Sequence, residues 1–278
     1  MDRRSFLLGT GALGLVACSA PERDLLAPYD GVDIELQPGA TTSAGSGAVT
    51  DTTTTVGVPV SPMQALRDSI EPAEDRVGVS FVAKARGNEV TVEETPGDGI
   101  ARWTFENPVA SGDDLRFLVE DYDGVGHYQV LLPTRPNGSL GWIRADSVDL
   151  QRHNFAIRVE LDAFRLTVFD HEQVALETTV GVARENAPTP RGRYYTTEII
   201  RPIEPNSVYG AFAYGLSGFS DTFASFNGGP GQLGIHGTND PDTIGTNVSS
   251  GCIRMHNDDI IRMVEEIKVT AGVPVEVI

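Results

Sequence analysis

From Val77 to its end the chain alternates apolar and polar residues in short runs separated by turn residues. This pattern predicts β-strands with one buried face. Val77, Val79 and Phe81 begin the series. Val90 and Val92 follow, then Leu115, Phe117 and Val119, then Tyr128, Val130 and Leu132. Pro133 to Gly138 reads as a turn, and Gly141-Trp142-Ile143 leads into Val148. A second set opens with Ile157, Val159 and Leu161, continues with Leu166 and Val168, and reaches Val174, Leu176, Thr178 and Val180. Its separators, Asp162-Ala163 and Asp170-His171-Glu172, are short enough for hairpins, so an antiparallel meander is expected.

Helical spacing occurs in two places. Met63, Leu66 and Ile70 suggest a short helix around Pro62 to Ile70. Asn257 reads as an N-cap followed by Asp258 and Asp259 in the first turn, with Ile260, Ile261, Val264 and Ile267 on one face. Gly272 ends that helix, and Val273, Val275 and Val277 alternate as a closing strand. Residues 202–232 are rich in Gly, Ser, Phe and Tyr without periodicity, as in a long irregular segment that covers a cleft. Tyr209, Phe212, Tyr214 and Phe219 would either line that cleft or pack the segment. The fold class expected is mainly β.

The first seventeen residues read as a targeting signal. Arg3-Arg4-Ser5-Phe6-Leu7-Leu8 has the twin-arginine form, and the apolar run that follows to Val16 is short for a membrane span. Leu15-Val16-Ala17-Cys18 resembles the lipobox of bacterial lipoproteins, which implies a lipid on Cys18 and a membrane anchor in the bacterial cell envelope. An ordinary signal peptide with an incidental cysteine is the alternative. Residues 18–76, with Thr41 to Gly47 and Thr52 to Thr55 small and polar, read as a flexible tether. The net charge of −18 becomes −19 on cleavage, because the lost piece carries one aspartate and two arginines. No basic patch is available for nucleic acid.

The chemistry concentrates between Ile235 and Met255. His236 and Cys252 are separated by fifteen residues, and glycines stand where backbone must approach a reacting group. A thiol attacks as thiolate and needs a base or a positive field nearby. The chain has two cysteines; if Cys18 carries lipid, Cys252 is a lone thiol in an oxidising compartment, and catalysis accounts for it better than packing. Zinc would need His236, Cys252 and His256 together, but no close ligand pair occurs, so neither metal nor cofactor is expected.

His236-Gly237-Thr238, Ile244-Gly245, Ser249 and Gly251-Cys252-Ile253-Arg254-Met255 together resemble the signature of the L,D-transpeptidase catalytic domain (YkuD type), over about Asn154 to Ile278. The resemblance implies Cys252 as nucleophile, His236 as proton donor and acceptor, the Gly237 carbonyl orienting His236, and Gly251 as a backbone oxyanion donor. It makes Arg254, Ser249, Ser250 and Tyr214 candidates for substrate binding, with Ser249 chiefly holding the loop and Arg254 anchoring a carboxylate or forming a structural ion pair. Ser250 stands where many relatives have histidine, which leaves the base role to His236. Thr238 and Asn239 would shape the turn after His236. Pro188-Thr189-Pro190-Arg191-Gly192 matches a structural segment of the same family.

Residues 153–278 are therefore expected to be the catalytic domain. Residues 77–152 resemble a bacterial SH3-like barrel through Gly126 to Leu132 and Gly141-Trp142-Ile143, with Trp142 in the core or at the rim rather than holding a ligand. His127, His153 and His171 have no partner in the local pattern and are expected at the surface. The implied activity is formation of 3→3 peptidoglycan cross-links through a cysteine thioester. Water or a protein amine as acceptor would give a carboxypeptidase or a protein–wall ligase. Stem peptides would be the partner, and carbapenem acylation at Cys252 would follow. The alternative is a silent envelope lipoprotein that binds wall peptide.

Overall fold

A computed structural model describes residues 60–278 apart from 71, 72, 205 and 226–228. The signal peptide, Cys18 and most of the tether lie outside the described residues.

The first lobe is one seven-stranded sheet in the order β3-β2-β6-β5-β4-β1-β7. Its strands are β1 (Ser80–Ala85), β2 (Glu89–Glu93), β3 (Ala101–Glu106), β4 (Arg116–Tyr122), β5 (His127–Leu131), β6 (Leu140–Arg144) and β7 (Val148–His153). The alternation places Phe81, Ala83, Val90, Val92, Phe117, Tyr128 and Ile143 in one core. Strand β3 was not evident from the pattern, because its positions stay largely exposed and only Trp103 and Phe105 pack inward. Helix α1 (Pro62–Asp68) is capped by the Ser61 hydroxyl, and Met63, Leu66 and Ile70 join the same core. Structured packing thus begins within the expected tether.

Strands β1 and β4 are buried on both faces. Val82 and Leu118 point away from the first core and are fully buried, because the second lobe covers them. Leu118 and Leu131 cluster with Tyr195. A Cβ at Gly272 would come within 2.7 Å of Val82 Cγ1, so a larger residue there would push the lobes apart.

The second lobe is an eight-stranded sheet ordered β10-β9-β8-β17-β12-β13-β14-β16, with β11 and β15 paired apart from it. The ranges are β8 (Phe155–Glu160), β9 (Arg165–Asp170), β10 (Gln173–Thr179), β11 (Val182–Ala183), β12 (Gly192–Ile200), β13 (Ala213–Phe219), β14 (Gln232–His236), β15 (Asn247–Ser249), β16 (Ile253–Arg254) and β17 (Pro274–Val277). The meander β8-β9-β10 is antiparallel as expected. The closing strand β17 instead joins β8 in parallel, and β16 joins β14 in parallel. Val174 sits at a bulge and is exposed, which ends the alternation there.

Helix α2 (Asn257–Ile261) passes into one wider turn at Arg262–Glu266 and buries Ile260, Met263 and Val264. Its N-cap is His256, not Asn257, and no side chain caps it. His153 is not at the surface. Its position at the end of β7, against Thr270 of the second lobe, leaves it 6% exposed. Burial and the nearby Arg116 charge hold its pKa near 4. His127 is half-buried, its Nδ1 2.8 Å from an Asp123 carboxylate oxygen. His171 meets Asp170 and Asn154 through Nδ1.

Candidate active site

A cavity of about 630 Å³ opens on one face of the strands β12, β13, β14 and β16. Its floor follows from strand register. One row runs Ile200, Ala213, His236, Arg254; the next runs Glu198, Gly215, Gly234. Residues paired across strands share a face, and all seven line the cavity. The loop from Val248 to Cys252 forms one wall, and Ser220, Phe223 and Gly229 to Gly231 form another.

Cys252 ends that loop just before β16. Its Sγ lies 4.0 Å from the place a Cβ on Gly234 would occupy, so the thiol sits over the same face that carries His236 two residues on. Cys252 is partly exposed and unpaired. Burial pushes the thiol pKa up, while the Gly234 backbone and the Arg254 charge pull against it. His236 is 4% exposed. Burial lowers its pKa to about 4; the Gly237 carbonyl opposes this and the Arg254 charge adds to it. Near neutral pH the imidazole is therefore uncharged.

The tautomer follows from one contact. Nδ1 of His236 is 2.6 Å from the Gly237 carbonyl. A carbonyl can only accept, so Nδ1 carries the hydrogen and Nε2 is left as the basic nitrogen. The ring of Tyr209 packs edge-on against His236, centroids 5.1 Å apart.

The turn after His236 is tied by Asn257. Its Oδ1 accepts from the backbone N–H of Ala211 and of Thr238, each at 3.1 Å, and its Nδ2 donates to Thr238 O at 2.9 Å. A Cβ on Gly237 would overlap Asn257 Oδ1, which is why glycine follows the histidine. The Asn257 side chain is thus spent on this turn instead of on the helix end. Asn239 donates to Asn206 O at 3.0 Å.

The nucleophile loop is held at several points. Ser249 Oγ donates to Cys252 O at 2.5 Å and accepts the Gly251 N–H at 3.2 Å. Gly251 has φ +134°, a conformation that favours glycine. Its N–H is turned into the loop, so it does not stand free as the oxyanion donor expected of it. Thr189 Oγ1 donates to Gly251 O at 2.8 Å, which is what the Thr-Pro segment does for the site. Arg184 donates to Ser249 O and, at 2.9 Å, to Ser250 Oγ.

Arg254 Nε is buried without a hydrogen-bond partner. No ion pair links Arg254 to a carboxylate among the described residues, which leaves its charge to the cavity. Tyr214 belongs to the wall only through its position on β13. Ala213 and Gly215 face the cavity, so strand parity turns the Tyr214 ring into the core, where its hydroxyl donates to Val269 O at 2.9 Å. Phe212 is likewise buried, 1% exposed.

The first lobe reaches this site. Arg135, in the loop between β5 and β6, donates to Ser220 O and Phe223 O, both at 2.9 Å, and to Pro230 O at 3.2 Å. Asn137 Nδ2 donates to Phe219 O, and its Oδ1 accepts the Phe219 N–H, both at 2.8 Å. The Arg135 guanidinium also lies 4.7 Å from the Phe219 ring centroid. Nothing in the sequence around Pro133 to Gly138 signalled this, since the contact spans more than eighty residues.

A profile of the L,D-transpeptidase catalytic domain (YkuD) matches residues 154–277. The chain is 30% identical over 161 residues to YkuD of Bacillus subtilis (strain 168), a protein that carries a provisional L,D-transpeptidase name; the match covers 56% of this chain and 88% of that protein. YqjB of the same organism, provisionally named alike, is 35% identical over 94 residues, covering 34% of this chain and 46% of its own. The solved structure of Bdellovibrio bacteriovorus Bd1075 aligns with 45% of this chain at 22% identity and a TM-score of 0.35. The chain spans about half the length of that structure (48%), and so loose a superposition carries no argument about the site. The match to Bacillus subtilis YkuD extends over most of that relative, the residues matched by the family profile include His236 and Cys252, and the chain belongs to the L,D-transpeptidases.

Proposed function

We propose that the protein is a peptidoglycan L,D-transpeptidase that forms 3→3 cross-links through a thioester on Cys252. The observation that carries this reading is the tautomer-fixed His236, its basic nitrogen free, in one cavity with an unpaired thiol. His236 Nε2 takes the thiol proton as Sγ attacks the carbonyl of the third residue of a donor stem. Negative charge develops on the carbonyl oxygen, and the Cys252 backbone N–H is assigned to it in place of Gly251. The C–N bond to the terminal D-alanine then breaks, and the proton on His236 goes to the leaving amine. An acceptor amine attacks the thioester, His236 takes its proton, and the thiol is released.

Because imidazole and thiol are both held neutral, the proton moves during attack and no ion pair needs to exist beforehand. Arg254 is the anchor for a substrate carboxylate, supported by its unpartnered buried Nε. Ser249 and Ser250 shape the loop that receives the stem. The twin-arginine run and Leu15-Val16-Ala17-Cys18 support export and a lipid anchor in the cell envelope. The Gly141-Trp142-Ile143 strand supports an SH3-like reading of the first lobe.

Intact mass after incubation with a carbapenem tests the nucleophile. One covalent adduct is expected on the native protein and none on Cys252→Ala. A native protein that stays unmodified and releases no D-alanine from stem peptides would instead favour a wall-binding lipoprotein.

A further inference from the structure

Successive peptide units of the nucleophile loop are each held by a side-chain oxygen. Ser249 Oγ accepts the Gly251 N–H and donates to the Cys252 carbonyl, which fixes the units on either side of the Gly251–Cys252 bond. The Gly251–Cys252 unit itself is held at its carbonyl by Thr189 Oγ1 at 2.8 Å. No other group among the described residues bonds that oxygen.

The cis peptide bonds among the described residues precede Pro108 and Pro136, so the Gly251–Cys252 bond is trans. In a planar trans peptide the carbonyl and the N–H point in opposite directions. With its carbonyl turned to Thr189, this unit presents the Cys252 N–H on its far side. That N–H makes no hydrogen bond among the described residues, and Cys252 lines the cavity. It is the donor assigned above to the developing oxyanion.

Gly251 does not enforce this orientation by itself. At φ +134° and without a Cβ, its backbone turns cheaply, and the unit that follows can flip over. Thr189 is stiff by comparison. It stands between Pro188 and Pro190, and the following proline confines its backbone to extended conformations. Its β-branched side chain has few rotamers, and it is 4% exposed. A buried hydroxyl needs a partner, and the Gly251 carbonyl is that partner.

We propose that Thr189 is a positioning residue of the reaction: it holds the Gly251–Cys252 peptide so that the Cys252 N–H faces the carbonyl under attack before any substrate arrives. This rests on the L,D-transpeptidase reading above. Thr189 is not among the residues that line the cavity. It acts through the peptide plane.

Two reagents for the same thiol separate this role from a merely structural one. With a carbapenem, Sγ bonds to the lactam carbonyl carbon, charge builds on its oxygen, the C–N bond breaks and the ring nitrogen takes the proton. With iodoacetamide, Sγ bonds to the methylene carbon, iodide leaves, the thiol proton goes to solvent, and no oxyanion forms. Thr189→Val keeps the shape of the side chain and removes the hydroxyl. It should slow carbapenem acylation about ten- to a hundredfold and lower kcat for D-alanine release in parallel, with KM little changed. Alkylation by iodoacetamide should change less than about twofold, and Thr189→Ser should acylate near the native rate. Equal slowing with both reagents, or slowing with neither, would overturn the assignment. So would a folded Thr189→Ser slowed by about tenfold toward the carbapenem alone, even if Thr189→Val did not fold. A native protein that iodoacetamide alkylates, but that no carbapenem acylates and that releases no D-alanine, would instead remove the L,D-transpeptidase reading, and this proposal with it.

Discussion

The Nδ1 of His236 donates to the Gly237 carbonyl 2.6 Å away, and this contact decides which nitrogen can act as base. Because burial holds the imidazole pKa near 4, it is already in its basic form throughout the neutral range. The acid limb of kcat/KM should therefore fall near pH 4, with little change from pH 5.5 to 7. A profile of D-alanine release from pH 3.5 to 8 checks this. An acid limb near the ordinary histidine value of 6.5 would contradict it.

His153 and His236 both have folded-state pKa values lowered to about 4. In the unfolded chain each takes up a proton near pH 6.5, and in the folded chain neither does until about pH 4. Stability is thus complete above 6.5 and declines as pH falls toward 4, by up to about 3 kcal/mol for each group. The urea midpoint should drop across that window. His153→Phe should flatten part of the slope, since no proton can then bind at the buried position. A midpoint that stays constant from pH 7 to 4.5 would rule this out.

Asn257 ties three backbone groups on two segments, and two of those bonds need its oxygen while one needs its nitrogen. Asn257→Ala should lower stability by about 1–3 kcal/mol. It should also reduce kcat, because the turn behind His236 loses its brace. Asn257→Asp keeps the acceptor but sets a carboxylate oxygen against the Thr238 carbonyl, so it should do no better. Thermal melts together with kcat decide the matter, and full activity in both variants would show that the tie is dispensable.

Arg135 joins the first lobe to the wall of the cavity through three carbonyls and the face of Phe219. Arg135→Ala should raise KM for the stem peptide severalfold while kcat changes little, since neither His236 nor Cys252 touches it. Arg135→Lys should fare little better, because an ammonium lacks the planar fork that spans these acceptors. Steady-state kinetics on both variants give the split. A loss confined to kcat would point to a different coupling.

How much could be read beforehand differs from residue to residue. His236 and Cys252 stand in a contiguous signature, so their identities needed no coordinates. The strands around Phe81, Phe117, Val130, Ile157 and Val168 were legible because alternation with one buried face is a local property. Whether Tyr214 lines the cleft or packs the segment stayed open in the sequence because residues 202–232 lack a period, and parity in a strand is fixed only by its partners. His153 read as exposed because the surface that covers it, near Thr270, belongs to the other lobe.

The sequence alone determined the chemistry on offer: a thiol, an imidazole, the glycines that let backbone come close, and the alternation that makes sheets. Tertiary structure decided the rest. Only strand register puts Glu198, Gly215 and Gly234 in one row beneath the thiol. Only chain packing brings Arg135 to the far wall, Asn257 under the His236 turn, and enough cover over the imidazole to keep it neutral. Side-chain identity is written residue by residue, whereas burial and register depend on partners far along the chain, and those partners set protonation and shape.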